Sequence, residues 1–360
     1  MDLFDRSLPY LTADLTGTGG VIKAEPEDFV VEEIPAYEPC GQGEHLFLWI
    51  EKRNVTADGL VRHVAHTLGV DPREIGTAGL KDTRAVTRQY VSVPARAEAA
   101  VSTIDTADIK VLRAARHGNK LKTGHARGNR FEVRVRGAGA EAAAQARLVL
   151  EALATRGVPN YFGPQRFGRG GETLAAGLTV LRGERSSLIG RAPPGRRGFL
   201  LRLAISSTQS AVFNHYLATR MADGLLHTVL AGEIMQVVAS GGPFWVDDVA
   251  REQARFAARE VVPAGPIFGP KMRDARGEAA AREAAALTAC GLTRDQFANL
   301  GKNALGTRRA NVVFLEQIAV TERADGFELR FALPRGSYAT VVLREVTKSD
   351  GTVTPEGLDD

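Results

Sequence analysis

The spacing of apolar and polar residues changes several times along the chain, and each change marks an element. In 21–34 (VIKAEPEDFVVEEI) two apolar stretches flank Pro26-Glu27-Asp28, which predicts an extended segment, a turn and a second extended segment. Residues 45–54 (HLFLWIEKRN) are rich in β-formers and predict a strand. In 56–70, Leu60, Val61, Val64 and Leu68 recur at helical spacing, with Thr56 placed as an N-cap and Gly69 as the stop. Residues 90–93, 109–112 and the alternating FEVRVR of 131–136 predict further strands. After Gly139 the texture changes: 140–157 is Ala-rich and ends in Gly157, as a helix would. The stretch 158–171 (VPNYFGPQRFGRGG) is dense in Gly, aromatic and Arg residues, and helices are expected over 206–222, 247–260 and 277–291.

Alternation returns near the C-terminus. The run 310–346 predicts three strands, with Asp325-Gly326 as a hairpin turn. Three short strands make a poor isolated domain, so they are expected to join the N-terminal sheet. That makes 1–157 together with 306–360 one discontinuous domain and 158–305 an insertion. The fold class expected is α+β: a mixed, mainly antiparallel sheet with flanking helices, plus a mostly helical second α+β domain.

Composition sharpens this picture. With 360 residues, 44% hydrophobic and 24% charged, the chain reads as a soluble two-domain protein. It has no apolar run of the ~20 residues that span a bilayer, and its acidic start (MDLFDRSLPYLTADL) does not read as a signal peptide. Cys40 and Cys290 lie far apart with no metal-ligand spacing, which suggests a reducing compartment and no structural zinc. The cytoplasm is the expected location.

The net charge of +4 is unevenly spread. Residues 110–136 hold nine Lys/Arg and two His against one acid, Glu132, whereas 24–51 is acidic. Such a run is either a solvated face or a footprint for a polyanion, most simply nucleic-acid phosphates. Gly118, Gly124 and Gly128 break it into loops and strands, which suits backbone tracking better than a membrane-surface helix.

Within GTAGLKDTRAVTRQYVS (76–92) a single carboxylate, Asp82, stands among cations and neutral hydrogen-bonders. It lacks the acidic neighbours of a metal site and the second carboxylate of a glycosidase. A nucleophile kept ionised by a cation and a structural turn residue both remain open on these residues alone.

The run AGLKDTRAVTRQ (78–89) resembles the signature of the TruD family of tRNA pseudouridine synthases, AG-x-KD-x-x-A-x-T-x-Q. Further matches follow in order: KAEPEDFVVEEI (23–34), HARGNRFEVRVR (125–136), VPNYFGPQRFG (158–168), SAVFNHYLATR (210–220) and FALPRGSYATVVLRE (331–345). Gln209 departs from the pattern, which carries Arg before the serine of the S-A-x-F-N helix, and this puts an RNA contact there in doubt.

The resemblance implies isomerisation of uridine 13 of tRNA to pseudouridine in a V-shaped, two-lobed monomer with the substrate in its cleft. Asp82 would be the essential carboxylate, attacking the sugar or abstracting its proton. Lys23 would be its cationic partner, because Lys81, adjacent on extended chain, should point away. Phe131 would stack on the uracil, Phe29 and Phe331 would line the site, and Asn129 would bond the uracil edge. Core packing is the rival reading for Phe29 and Phe331. Arg113, Arg116, Lys120, Lys122, Arg127 and Arg130 would meet tRNA phosphates. Asn160, Gln165, Arg166 and Phe167 would face the RNA or pack an inter-domain hinge. The reaction is redox-neutral and hydrolyses nothing, so no cofactor, metal or nucleotide is expected. A tRNA-binding folding chaperone with secondary catalysis is the alternative; a nucleoside hydrolase would need an Asp cluster that is missing.

Overall fold

Short apolar-polar alternations and intervening Gly/Pro turns produce seven strands before residue 137. They are β1 (Val21–Ile22), β2 (Phe29–Pro35), β3 (His45–Arg53), β4 (Gly76–Thr77), β5 (Val86–Pro94), β6 (Ile109–His117) and β7 (Ala126–Arg136). Between β3 and β4 lies α1 (Ala57–Leu68), its start capped by Thr56 Oγ1 accepting from Gly59 N at 2.9 Å. Gly69, at φ 62°, ends it in a left-handed conformation that glycine adopts without a Cβ penalty. After β7 comes α2 (Ala142–Arg156).

The computed structural model describes residues 8–349 and divides into two units, 14–156 with 314–349, and 8–13 with 157–313. The second unit contains β8 (Val158–Pro159), α3 (Glu172–Leu181), α4 (Ser187–Arg191) and α5 (Pro194–Ala222). There follow β9 (Ile234–Val237), β10 (Pro243–Trp245), α6 (Val249–Ala257), β11 (Val261–Ile267), α7 (Gly277–Ala289), α8 (Arg294–Ala298), β12 (Thr307–Ala310) and β13 (Val312–Val313). Its four-stranded sheet runs β10-β9-β11-β12, and β13 pairs with β8. Leu174, Ile205, Val212, Phe268 and Phe297 centre its core. Gln209 is buried there and donates Nε2 to the Phe268 carbonyl at 2.6 Å, so it serves packing inside the unit.

The chain then returns to the first unit through β14 (Glu316–Arg323), β15 (Gly326–Pro334) and α9 (Ala339–Thr347). β14 and β15 extend the sheet, whose order is β14-β15-β7-β2-β5-β3-β6, with β1 on β7 and β4 on β5. Only β2–β5 is parallel among these pairings. The fold is therefore α+β with a mixed, mainly antiparallel sheet. Leu46, Leu48 and Ile50 of β3 and Val91 and Val93 of β5 bury against Leu60 and Val64 of α1. Each such apolar side chain contributes roughly 1.5–3 kcal/mol when fully buried.

The end of the run 310–346, expected to be all strand, is a helix: Ala339–Thr347 is α9, burying Val341, Val342, Leu343 and Val346 and packing on α2. β-propensity differences span only about 1 kcal/mol, less than the burial of this face supplies. Strands β9 to β12 and the twelve residues of α5 before 206 also lay outside the sequence reading.

Candidate active site

Two turns converge on one ion pair. After β1, Lys23 adopts φ 57°, an uncommon backbone for a residue with a Cβ, and the chain breaks from the sheet. A 3-10 turn, Pro26–Asp28, returns it to β2. Asp28, 1% exposed, locks that turn: its carboxylate accepts from Arg136 Nε at 2.9 Å and Nη2 at 2.7 Å and from Glu25 N at 3.0 Å. Lys23 Nζ is thereby held 3.9 Å over the Phe29 ring and 2.9 Å from Asp82 Oδ1. The ring face and the carboxylate both attract the Lys23 head group there.

The loop carrying Asp82 is pinned from several directions. Lys81 turns away from Asp82 into a buried ion pair with Glu33 Oε2 at 2.7 Å, as expected for alternating side chains. Lys52, 0% exposed, donates Nζ to the Asp82 carbonyl at 2.8 Å and to the Val55 carbonyl at 2.5 Å. Arg84 Nη2 donates to the Ala24 carbonyl at 2.8 Å, tying this loop to the Lys23 turn. The Asp82 side chain nevertheless stays 39% exposed, whereas that of Lys23 is 12% exposed. The result is a backbone-anchored carboxylate, cation-paired on one oxygen and open to an incoming group.

Beside it, β2, β7 and β15 set three phenylalanines in one cluster. Phe131 faces Phe331 across the β7–β15 ladder, the rings stacked at 5.4 Å, and Phe29 meets Phe131 edge-on at 6.0 Å. All three are buried, so they also serve the core. Asn129, two residues before Phe131 on the same face, has its Oδ1 buried without a hydrogen-bond partner in the protein, as do Thr87 Oγ1 and Gln89 Oε1 on β5. Buried acceptors left unpaired are costly and uncommon. Among the described residues, no group of three or more His, Cys, Asp and Glu is arranged to hold a metal ion.

The other sequence-predicted residues are dispersed. Arg113 is paired with Glu38 at 2.7 Å, Arg116 with Glu98 Oε2 at 2.5 Å, and Arg130 with Glu32. Lys120 donates to the Arg73 carbonyl. Lys122 and Arg127 are exposed and are in no ion pair among the described residues. In the second unit Asn160 is buried, its Nδ2 donating to the Ala310 carbonyl at 2.9 Å and its Oδ1 accepting from Arg309 Nη2 at 2.7 Å. Arg166 donates Nε to Ser210 Oγ at 3.1 Å, Gln165 lies in the same 3-10 turn, and Phe167 packs on the core of α3, α5 and α7.

Sequence reasoning missed Lys52, Glu33 and Asp28. Each reads as an ordinary charged residue of a strand or turn, and only an ionisable residue at an expected inward position could have flagged it.

The chain is similar to known proteins over nearly its whole length. The family model "tRNA pseudouridine synthase D (TruD)" matches residues 7–190 and 197–346. A tRNA pseudouridine synthase D of Anaeromyxobacter dehalogenans (strain 2CP-1) is 47% identical over 352 residues, covering 98% of this chain and 99% of that one. A tRNA pseudouridine synthase D of Thermus thermophilus is 44% identical, covering 97% of this chain and 95% of that one. A solved TruD structure from Methanosarcina mazei superimposes with a TM-score of 0.74 at 25% identity, covering 95% of this chain and 96% of that one. The chain belongs to the TruD family of tRNA pseudouridine synthases.

Proposed function

We propose that the protein isomerises uridine to pseudouridine in tRNA, at position 13, with Asp82 as the essential carboxylate. The observation that carries this reading is the Lys23–Asp82 pair, 2.9 Å long, beside the Phe29–Phe131–Phe331 cluster. In the reaction N1–C1′ breaks, the uracil turns over, and C5–C1′ forms; C5 gives up its proton and N1 gains one. A half-exposed carboxylate can attack C1′ or take a sugar proton, and Lys23 Nζ at hydrogen-bond distance holds one of its oxygens in place. Lys52 holds the Asp82 main chain while the side chain acts.

The uracil would rest against the phenylalanine cluster. Phe131 is only 5% exposed, so the base meets the rim of the cluster unless a neighbouring ring shifts. The unpaired Asn129 Oδ1 is an acceptor for an N–H of the uracil, and that bond would relieve its buried, unbonded state. Lys122 and Arg127, exposed and in no ion pair among the described residues, would meet phosphate.

The test is Asp82→Asn. Binding of a tRNA transcript should persist while pseudouridine formation is lost. Activity near the wild-type rate would overturn the assignment of Asp82.

A further inference from the structure

One group of arginines in the second unit differs from Arg113, Arg116 and Arg130. Arg113, Arg116 and Arg130 are each held by a carboxylate, which cancels much of the charge they offer a distant anion. Residues 182–202 (RGERSSLIGRAPPGRRGFLLR) carry six arginines, Arg182, Arg185, Arg191, Arg196, Arg197 and Arg202, against one acid, Glu184. All six are exposed, and among the described residues none forms an ion pair.

The local fold keeps them outward. α4 ends at Arg191 and α5 begins at Pro194, with Ala192-Pro193 between. Arg197 closes this hairpin by donating Nε to the Ala192 carbonyl at 2.9 Å and Nη2 to the Gly190 carbonyl at 3.2 Å. Phe199, one turn into α5, is 53% exposed, whereas Phe213 further along the same helix is fully buried. Guanidiniums outside any ion pair, on the same segment as an exposed aromatic ring, are the residue types that track a phosphate backbone and stack an unstacked base. A membrane-surface helix needs a broad apolar face, which the five residues of α4 and a lone exposed Phe do not supply.

We infer that the α4–α5 hairpin is a second RNA-contact surface, in which Arg185, Arg191 and Arg196 meet phosphates of the tRNA and Phe199 stacks on an unpaired base. This rests on tRNA being the substrate. The test measures affinity of the full chain for a tRNA transcript as a function of salt. Each phosphate contact adds about 0.7–0.9 to the slope of log affinity on log salt. The triple variant Arg185→Ala/Arg191→Ala/Arg196→Ala should therefore lose about 2–3 from that slope and bind roughly 100-fold more weakly near physiological salt. The corresponding triple Lys variant should keep most of the slope, because an ammonium also displaces counterions.

Phe199→Ala should weaken binding about 5- to 100-fold with the slope unchanged, as loss of a stacked base would. Single-turnover pseudouridine formation at saturating tRNA should match the wild type in every variant. An unchanged slope in the triple Ala variant overturns the inference, as does binding to anionic phosphatidylserine vesicles that the variant loses while its tRNA affinity stands. If the triple variant fails to fold, Arg196→Ala alone should lower the slope by about 0.7–0.9, and no change in that variant is equally decisive. A wild-type protein that binds tRNA with this slope but makes no pseudouridine would sink the reaction, not the surface.

Discussion

Replacing Lys52 with Met separates a structural lysine from one that positions the carboxylate. The side chains are similar in length, and Lys52 is completely buried, so the change removes a charge while nearly keeping the volume. At least two hydrogen bonds go with it, to the Asp82 carbonyl at 2.8 Å and the Val55 carbonyl at 2.5 Å. Bonds from a charged donor are worth about 1.5–3 kcal/mol each, so the gross loss is roughly 3–6 kcal/mol. Against it stands the release of a buried ammonium, whose desolvation costs several kcal/mol. The two nearly offset, leaving a net destabilisation of about 1–2 kcal/mol.

Catalysis has no such offset. Without Lys52, the Asp82 main chain loses its anchor on the β3 side, and a displacement near 1 Å costs on the order of 100-fold in rate. That is about 2.7 kcal/mol in the barrier, more than the fold loses. The assay is single-turnover pseudouridine formation with enzyme in excess, run well below the melting temperature, with tRNA affinity measured separately. A rate near one hundredth of wild type with affinity unchanged is expected. A rate within twofold of wild type would refute the positioning argument, because the carboxylate would then not need its main-chain anchor.

Lys23→Met should lower turnover roughly 10- to 100-fold and change tRNA affinity less than about threefold, since the ammonium serves Asp82 at 2.9 Å; equal losses in both would make Lys23 a phosphate contact. Gly128→Ala would place a Cβ 2.2 Å from the Leu333 carbonyl, forcing β7 and β15 apart next to Asn129. It should cost about 1–3 kcal/mol, read as a lower denaturant midpoint, and an unmoved midpoint would contradict the close approach. Hydrogen bonding from Arg134, aided by the charges of Arg134 and Arg136 against some desolvation, holds the Asp325 carboxyl below its ordinary 3.8. A lowered folded value means the stabilisation is present above the unfolded value and is lost as the pH falls through the folded one. The stability gap between wild type and Asp325→Asn should therefore be largest near neutrality and close below about pH 4. Denaturation curves in which the gap widens in acid would reverse the assigned sign.

The chain's local signals announced much of the fold. Thr56 and Gly69 bound α1 because their chemistry acts within a few residues, and Gly157 and Gly291 stop α2 and α7 for the same reason. The β14–β15 hairpin was legible around Asp325-Gly326, although Gly326 itself opens β15. The α9 segment was misread because its Val341-Val342 run suits a strand, and only packing against α2 decides for a helix.

The site divides along the same line. Sequence alone determined that Asp82 is the lone acid of its loop and that a basic run and an acidic run coexist, because residue types and short spacings are local properties. Tertiary structure decided which of those charges are free. Arg113, Arg116 and Arg130 find Glu38, Glu98 and Glu32 at separations of 75, 18 and 98 residues, and Lys23 finds Asp82 at 59. Lys52 became visible only when the sheet turned it inward beneath the Asp82 main chain. Strand register sets these partnerships, and register depends on burying whole faces across distant segments, which a reading by local spacing does not reach.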